Sequence, residues 1–567
     1  MKYAIYGWNR VAKDFRYMFP ELDILCYVED EIDHLENIDN APLYSLEEFR
    51  QSGITVDSVI ICDFDKTEKI KKLEQLGYEY KKNYLLEEDF FDSLNETPAN
   101  INPDNKEIII WGAGSDSAFF SDRFTRFRPE FYIDTYKGGT EFRNLEVKFP
   151  EEVRDWNAYF VVVAVCRDRD IRDYLEKQGM TEGKDFMNAN IIMNLPSELL
   201  RATIFDRHSY ILNCRTPLNH MELLTEGEMY CCCSTFMRSL GNVSNGGILT
   251  IWNSIKHKIL CLSVVNRSYT FCNKAMCPLL FGKEQKLADT VDSGDYPVMK
   301  SAPSVSAIGF DHTCNLKCET CREEIRIARG AEKEKMLEYA RMTVEEILPK
   351  TDFLVMAGDG EVFASEAYKA VYKSPGMDNV SYIRLLSNGT LFNPKNWEEF
   401  KQNKHGKIML TASVDAASKE TYESIRRNGK FDVLKSNMAF AGELRKKGEL
   451  SYFRMNFVVQ RKNYKEMPDF VRWGIEIGAD EVFFTKILNW GTYSADEFEE
   501  ISMMETDGIT PKKELRQILD NPLMKNPIVD LGTIQHAHKT TDDIDIENYY
   551  MWELERKVGG LFHGSKE

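Results

Sequence analysis

The sequence predicts an α/β protein with parallel sheets: two tandem domains, a small cysteine-rich domain and a partial barrel. Three observations predict this class. Apolar strand-like runs alternate with helical stretches along most of the 567 residues, which is typical of parallel strands joined by crossover helices. One strand–turn–helix unit occurs twice near the start. Ten of the 13 cysteines fall between Cys214 and Cys321, next to a longer series of strand–helix repeats.

The first part of the chain is predicted to hold two copies of one unit. Tyr3–Gly7 opens the first copy and Ile108–Gly114 opens the second, each as an apolar strand that runs into a glycine turn. A helical stretch, a strand ending in an acid and a third strand follow in both copies. We predict Rossmann-like domains over residues 1–98 and 106–195, joined by a turn-rich linker.

The glycine turn of the second copy is a candidate ligand site, because such a turn can bring phosphates up to a helix N-terminus. It lacks the third glycine of a dinucleotide fingerprint, and a tight strand-to-helix turn explains the pattern equally well. The second copy resembles the small nucleotide-sugar-binding Rossmann-like domains of bacterial glycan-biosynthesis proteins. That resemblance implies ligand contacts by Gly112, Gly114 and the strand-end acid Asp134. The duplication could equally serve assembly or docking of a partner.

Six strand–loop–helix repeats follow between Val305 and Trp490 and predict a partial (β/α)6 barrel over residues 300–510. Function is expected at the carboxyl ends of its strands, as in full barrels. We expect the C-terminal extension, residues 511–567, to close the barrel or to cover its site. The strand-like runs of the barrel are Val305–Phe310, Asp352–Ala357, Ser381–Leu386, Lys407–Val414, Phe453–Val459 and Glu481–Thr485.

Cys314, Cys318 and Cys321 follow the first barrel strand with the spacing C-x3-C-x2-C. Three thiolates can hold three irons of a cubane cluster and leave the fourth iron open, and an open position distinguishes a reactive metal site from a structural one. A zinc knuckle or free thiols are the alternatives, but no fourth Cys or His follows at ligand spacing. The loop resembles that of the radical S-adenosylmethionine (SAM) family, in which the fourth iron binds the amino and carboxylate groups of SAM.

The resemblance extends to polar residues at the ends of the following strands. Gly358-Asp-Gly-Glu361 resembles the family's GGE motif, with Asp359 in place of the second glycine. A carboxylate there suits the methionine ammonium, short polar side chains suit the ribose, and an arginine can pair with a carboxylate. A solvated strand end or a helix cap is the alternative for any one of these residues. The implied SAM-binding residues are Gly358, Asp359, Gly360, Glu361, Ser387, Asn388, Ser413, Asp415, Arg426 and Asn456.

The cysteine-rich stretch before the barrel resembles a SPASM/Twitch domain. Two cysteine groups stand about forty residues apart, with Gly-Asn and Trp-Asn-Ser between them. The resemblance implies a second [4Fe–4S] cluster within residues 199–290, although the common arrangement places this domain after the barrel. A zinc site is the alternative, and Cys214 and Cys261 are expected to be core thiols. The candidate ligands of the auxiliary cluster are Cys231, Cys232, Cys233, Cys272 and Cys277.

Composition narrows the protein class. The net charge of −19 argues against a protein that reads a nucleic-acid backbone. No apolar run approaches the ~18 residues of a spanning helix, and the N-terminus lacks the features of a secretory signal. Clustered cysteines without an export signal indicate metal ligation in a reducing cytoplasm.

The family resemblance implies an enzyme that cleaves SAM reductively and abstracts a hydrogen atom from its substrate. It also implies an external low-potential electron donor of the flavodoxin or ferredoxin type. Our first hypothesis for the substrate is a sugar, a nucleotide- or carrier-linked sugar or a glycoside, oxidised or epimerised at carbon. The second is a peptide or protein side chain. A non-enzymatic iron–sulfur redox protein is the third, but it leaves Gly358–Glu361 unexplained.

Overall fold

The computed structural model describes residues 1–30, 37–63, 66–92, 102, 104–124, 127–165, 168–192, 200, 203, 209–210, 212, 214–232, 239–272, 277, 287–288, 299–322, 324–356, 358–402, 406–488, 493–505 and 510–534. Within these residues the prediction of an α/β protein with parallel sheets is confirmed. The domain boundaries stay predictions. The candidate ligand Cys233 and most of the extension after residue 511 lie outside the described residues.

The first sheet is built from the first predicted unit and has the order β3-β4-β2-β1-β5-β6. Its neighbours are parallel except for the β3–β4 hairpin. The strands are β1 (Lys2–Tyr6), β2 (Asp23–Val28), β3 (Asn37–Ile38), β4 (Ala41–Tyr44), β5 (Ser58–Ile61) and β6 (Tyr84–Leu86). The helices are Arg10–Met18, Leu46–Gln51, Thr67–Gln75 and Glu87–Asp92. β5 is buried along its whole length, which is why it appears in the sequence as one continuous apolar run.

The second sheet repeats that topology as β9-β10-β8-β7-β11-β12. Again one antiparallel hairpin, β9–β10, forms one edge and all other pairs are parallel. The strands are β7 (Glu107–Trp111), β8 (Tyr132–Ile133), β9 (Thr140–Phe142), β10 (Leu145–Lys148), β11 (Tyr159–Val163) and β12 (Phe186–Asn188). The α-helices are Ser115–Arg123, Arg169–Lys177 and Ala189–Ile192, and the 3-10 helices are Pro150–Glu152 and Trp156–Ala158.

The first unit packs on the cysteine-rich region through two helices, Arg10–Met18 and Ile255–Val265. Asn266, at the end of the second helix, donates its side-chain amide to Asp14 at 3.2 Å. Lys258 donates to the carbonyl oxygen of Met18 at 2.6 Å. The N-terminal unit is thus held by polar contacts as well as by apolar packing.

The largest sheet joins the cysteine-rich region to the barrel, in the order β16-β15-β14-β18-β19-β20-β21-β22-β23-β24. β14 and the strands from β18 onwards are parallel, whereas β15 and β16 form an antiparallel extension at one edge. β13 and β17 pair with each other separately. The strands are β13 (Ser209–Tyr210), β14 (His220–Leu224), β15 (Glu228–Tyr230), β16 (Gly241–Asn242), β17 (Leu287–Ala288), β18 (Val305–Gly309), β19 (Phe353–Met356), β20 (Tyr382–Ser387), β21 (Lys407–Ser413), β22 (Tyr452–Val459), β23 (Glu481–Lys486) and β24 (Val529–Asp530).

The barrel sheet is longer than the six strands predicted. In the described part of the chain the parallel series includes β14 at one edge and β24 at the other. β14 belongs to the cysteine-rich region and was therefore assigned to another domain, and a two-residue strand such as β24 is too short to show a periodic pattern. Val529–Asp530 pairs with β23 at the barrel edge, and closure of the barrel by the extension stays a prediction.

Helices cover the outer face of the barrel sheet and leave its inner face polar. Along β22, Phe453, Met455 and Phe457 are buried against the helices, while the alternate residues Arg454 and Asn456 face the inner side and are partly exposed. No helix among the described residues is both long and apolar enough to cross a membrane. The α-helices of this half of the chain are Thr216–Asn219, Ile248–Trp252, Ile255–Val265, Gly330–Met342, Glu366–Tyr372, Pro394–Lys401, Lys419–Ile425, Phe431–Lys446, Met467–Ile477, Ala495–Ile501 and Lys513–Leu519.

Candidate active site

The cysteine loop leaves the carboxyl end of β18 and is fixed at its start by Asp311. One carboxylate oxygen of Asp311 accepts the amide of Thr313 at 2.7 Å, and the other accepts the hydroxyl of Ser365 at 2.5 Å. Cys314 and Cys318 pack together in the interior, whereas Cys321 is exposed. The buried carboxylate therefore ties the loop to the segment that follows β19.

Two arginines surround the thiols of the loop. Nε and Nη2 of Arg322 lie 3.3 Å from Sγ of Cys321, and Nη1 of Arg426 lies 3.6 Å from Sγ of Cys318. Burial raises the pKa of the Cys318 thiol, and the positive charge of Arg426 opposes that rise. Because metal-binding cysteines bind as thiolates, both arginines favour the form of the loop that binds iron.

The backbone at Gly360 packs closely against the backbone of the cysteine loop. A methyl group at this position would stand 2.1 Å from the carbonyl oxygen of Asp311 and 2.9 Å from that of Thr313. At Gly358, in contrast, a methyl group would meet nothing within 4 Å. The close approach of two backbones thus requires a glycine at position 360 but not at position 358.

Glu361 is a fully buried carboxylate that links two strand ends. It accepts the amide of Asn388 at 2.7 Å and the hydroxyl of Ser387 at 2.9 Å, both at the end of β20. Its own amide donates to the carbonyl of Thr313 at 2.8 Å. Burial raises the pKa of Glu361 to about 7. The predicted residues of the second and third strand ends are therefore brought together beside the loop.

Asp415 and Arg426 form an ion pair of 2.7 Å at the end of β21. Asp415 has a positive φ of 66° and accepts the amide of Val458 at 2.8 Å with its other oxygen. Nε of Arg426 is buried and has no hydrogen-bond partner. Asn456 stands opposite Ser413 in the sheet, and its carbonyl oxygen accepts Nε of Arg454 at 2.8 Å. The Nε–H group of Arg426 is thus a buried donor without an acceptor in this site.

These residues fit a [4Fe–4S] cluster with bound SAM in their chemistry. They supply three thiols on one loop, a backbone cradle that a side chain at position 360 would fill, a buried carboxylate and an unused guanidinium donor. Within the described residues no three Cys, His, Asp or Glu side chains form a closed metal-binding group. The individual ligand and SAM-contact assignments therefore stay predictions.

The second cysteine group includes Cys214, which the sequence predicts to be a core thiol. Cys214, Cys272 and Cys277 all pack against the cluster around Tyr210 and Tyr269. The amide of Cys214 donates to the hydroxyl of Tyr269 at 3.0 Å. Cys214 was expected to be a core thiol because it lies far upstream of the other cysteines. Cys214 thus packs on the same apolar cluster as Cys272 and Cys277, and its assignment as a core thiol stays a prediction.

Cys231 and Cys232 follow β15 in the same region. Burial raises the pKa of the Cys231 thiol, and the neighbouring Cys261, Cys232 and Cys272 raise it further. Cys261 donates to the carbonyl of Pro217 at 3.5 Å, which agrees with its expected place in the core.

In the second Rossmann-like unit, the carboxylate of Asp134 accepts hydrogen bonds from backbone amides at the glycine turn. Asp134 accepts the amides of Ala113 at 2.8 Å, Tyr136 at 2.9 Å and Lys137 at 3.1 Å. Gly112 has a φ of 119° and packs against the carbonyl of Ala164, and Gly114 caps the helix Ser115–Arg123. These contacts account for the turn as a structural feature. Ligand binding by Gly112, Gly114 and Asp134 stays a prediction.

Comparison with known proteins identifies two parts of the chain. A model of the SPASM domain, an iron–sulfur cluster-binding domain, matches residues 214–278, so the match begins at Cys214. A probable GTP 3′,8-cyclase of Saccharolobus islandicus is 23% identical over 227 residues, which make up 37% of this chain and 67% of that protein. Residues 214–278 thus match a SPASM domain, and the comparisons support a radical SAM protein that carries it. Its cofactors are accordingly SAM and [4Fe–4S] clusters.

Solved structures match this chain only weakly. Streptococcus suis SuiB bound to the precursor peptide SuiA is 15% identical, with a TM-score of 0.30, over 44% of this chain and 55% of that chain. The protein anSMEcpe with bound AdoMet and a peptide is 19% identical, with a TM-score of 0.24, over 33% of this chain and 50% of that one. The chain spans about half the length of these solved proteins.

Proposed function

We propose that this protein abstracts a hydrogen atom from an organic substrate; Cys314, Cys318 and Cys321 would hold a [4Fe–4S] cluster, which would supply the reductive cleavage of bound SAM. The observation that carries this proposal is the meeting of the three-cysteine loop with Gly360 and Glu361. A structural metal knuckle would not require a second backbone and a buried carboxylate to close against it.

In this proposal the residues of the site hold iron, stabilise the thiolate charge or bind SAM. Cys314, Cys318 and Cys321 hold three irons, and Arg322 and Arg426 stabilise the thiolate charge. Glu361 accepts the ammonium of the SAM methionine. Asp415 positions Arg426, whose unused Nε donates to the SAM carboxylate.

The other predicted SAM-binding residues line the same strand ends. Ser387 and Asn388 hold Glu361 in place through their hydroxyl and amide donors. Ser413 and Asn456, which are register neighbours, face the ribose. Gly358 and Asp359 supply backbone groups beside the methionine end, and the carbonyl of Asp359 accepts Nη2 of Arg322.

For the auxiliary cluster we propose four ligands. Cys214, Cys272 and Cys277 supply three of them, and one of Cys231, Cys232 and Cys233 supplies the fourth. The packing of Cys214, Cys272 and Cys277 against one apolar cluster supports this set, as does a SPASM match that starts at Cys214.

The proposed substrate is a sugar or a nucleotide- or carrier-linked sugar, which would be oxidised or epimerised. The duplicated Rossmann-like units support it, and the relatives named as GTP cyclases act on a nucleotide by their name. A peptide or protein side chain is the second candidate, and the SPASM match favours it, since such enzymes form a large class with that domain. A cytoplasmic location and a flavodoxin- or ferredoxin-like electron donor belong to the same proposal.

The test is SAM cleavage by the full chain. After anaerobic reconstitution and reduction with dithionite, the protein should form 5′-deoxyadenosine, and Cys318→Ala should form none. Cys26→Ala serves as the matched control, because Cys26 is a buried cysteine on β2 and lies in another sheet. Formation of 5′-deoxyadenosine by Cys318→Ala at the native rate would contradict the proposal.

A further inference from the structure

The inner face of the barrel holds a cavity at the end opposite to the cysteine loop. Its volume is about 360 Å³, and it is lined by Arg384, Lys407, Met409, Ser451 and Tyr452. These residues stand at the beginnings of β20, β21 and β22, whereas the cysteine loop and Glu361 stand at strand ends. None of these lining residues belongs to the proposed SAM site.

Arg384 is the main reason to regard the cavity as a binding site. Its Nε is buried and has no hydrogen-bond partner. Its Nη2 reaches only the sulfur of Met409, at 3.8 Å, and its guanidinium lies 5.4 Å from the ring centre of Phe353. A buried donor without an acceptor is unfavourable by about 1–3 kcal/mol. An acceptor inside the cavity would remove that cost.

Lys407 adds a second positive charge on the same rim. Its ammonium lies 5.6 Å from the ring centre of Tyr382, and neither Lys407 nor Arg384 has an ion-pair partner among the residues that the structure describes. Glu481, on β23, accepts the hydroxyl of Tyr452 and lies 3.4 Å from Arg454.

Other groups around the cavity are already engaged. Arg454 stacks on Phe483 at 3.6 Å and interacts electrostatically with Glu481 and Asp530. The hydroxyl of Ser451 donates to the carbonyl of Ile408 at 2.9 Å. Arg384 and Lys407 thus form no ion pair with a described residue, in a chain whose net charge is −19.

We propose that this cavity binds an oxyanion, a phosphate or a carboxylate, carried by the tail of the substrate. An arginine offers such a group two parallel donors, and a lysine adds a point charge. The inference rests on the proposed function, because it assigns the bound anion to the molecule that reacts beside the SAM site.

The barrel geometry also sets the length of that substrate. Ser387 is three residues beyond Arg384 on β20, and Ser413 is six residues beyond Lys407 on β21. At a rise of about 3.3 Å per residue these separations are roughly 10 and 20 Å. A molecule held at the cavity and attacked at the strand ends must therefore be elongated, with its charge at one end. A nucleotide- or carrier-linked sugar and a peptide with an acidic side chain both meet this requirement.

The experiment measures binding of pyrophosphate and of succinate to the reconstituted full chain by calorimetry. We expect saturable binding of at least one anion, and an affinity at least about tenfold lower in the double variant Arg384→Gln/Lys407→Gln, because a charge-assisted hydrogen bond contributes about 1.5–3 kcal/mol. Tighter binding of pyrophosphate would identify a phosphate as the natural group, and tighter binding of succinate a carboxylate. Arg341→Gln, at an exposed arginine on a barrel helix, should bind as the native protein does.

Two results would overturn the inference: no saturable binding of either anion, or unchanged affinity in the double variant. Lys407→Gln alone, at an exposed position, provides the same test if the double variant does not fold. Formation of 5′-deoxyadenosine without substrate should be unchanged in all these variants. Its absence in the native protein would instead count against the proposed function.

Discussion

Glu29 and Asp134 hold the same place in two copies of one unit. Glu29 accepts the amide of Trp8 at 2.6 Å, and Asp134 accepts the amide of Ala113 at 2.8 Å. The amide follows Gly7 in the first copy and Gly112 in the second. Each glycine stands at the end of a strand, and its own amide donates to a carbonyl of the neighbouring strand. The duplication therefore extends from the strand order to single hydrogen bonds, and in both copies the acid stabilises the turn.

This role predicts the result of removing the Asp134 carboxylate. Asp134→Ala should lower the free energy of unfolding by about 2 kcal/mol, because hydrogen bonds to a charged acceptor are lost at three backbone amides. Urea unfolding measures the change, and 5′-deoxyadenosine formation should keep its native rate. Glu146→Ala, an exposed acid on β10, is the control and should leave stability unchanged within error.

The glycines before Glu361 provide a matched pair of variants. Gly360→Ala should abolish or strongly reduce SAM cleavage, because its methyl group would lie 2.1 Å from the carbonyl of Asp311 and would displace the cysteine loop. Gly358→Ala meets no protein atom within 4 Å and should therefore keep the cysteine loop and its native iron content. 5′-Deoxyadenosine formation and the iron content of each variant are the measurements. Native activity and native iron content in Gly360→Ala would show that this backbone contact does not matter.

Cys214 is predicted to be an iron ligand in spite of its distance along the chain. Cys214→Ala should lower the iron content of the reconstituted protein from about eight to about four per chain, since each cubane holds about four irons. Cys261→Ala is the matched control, because this buried thiol bonds to the carbonyl of Pro217, and it should retain the native iron content. A Cys214→Ala protein with about eight irons would exclude Cys214 as an essential ligand.

Glu87 gives the first unit a predicted dependence on pH. Its buried carboxyl lies 2.7 Å from Lys66, which also pairs with Glu88 at 3.0 Å, so two carboxylates share one ammonium. Burial raises the pKa of Glu87 from 4.5 to about 8. The pKa of Glu87 is higher in the folded state than in the unfolded state, so protonation of Glu87 favours folding. The contribution of Glu87 to the stability of the first unit is therefore complete below pH 4.5 and is lost as the pH rises through 8.

Between pH 6 and pH 8 the native unit should therefore lose roughly 2 kcal/mol more stability than Glu87→Gln does. Hydrogen exchange of the β5 amides, measured by mass spectrometry, reports on this unit within the full chain. Glu68→Gln, at an exposed glutamate on the preceding helix, should keep the native pH dependence. A native protein whose β5 protection is the same at both pH values would contradict the prediction.

The sequence revealed the parts of the fold that are buried on both faces. The runs that became β5, β7, β11 and the barrel strands are apolar, because helices cover them or both faces are packed. Short edge strands such as Asn37–Ile38 and Val529–Asp530 carry no such pattern, and their pairing depends on neighbours distant in the chain. The spacing of Cys314, Cys318 and Cys321 was recognisable because all three lie on one loop.

The remaining site features arise from contacts between distant segments. The spacing of cysteines along the chain gave no reason to group Cys214 with Cys272, since Tyr269 and the packing around it bring them together. The positive φ of Asp415 and its pairing with Arg426 likewise depend on how β21 and the next helix meet. Arg322, which contacts Cys321, follows the last cysteine of the motif, and its role required the loop conformation.

The shared sheet has a consequence for electron flow. β14 leads through β15 to Cys231 and Cys232, and it lies directly beside β18, which leads to Cys314. One ladder of main-chain hydrogen bonds thus sets the interval between the two proposed cluster sites, however long the connecting peptide is. An insertion in that connection should leave tunnelling between the centres unaffected, whereas a slip of one residue between β14 and β18 would alter it.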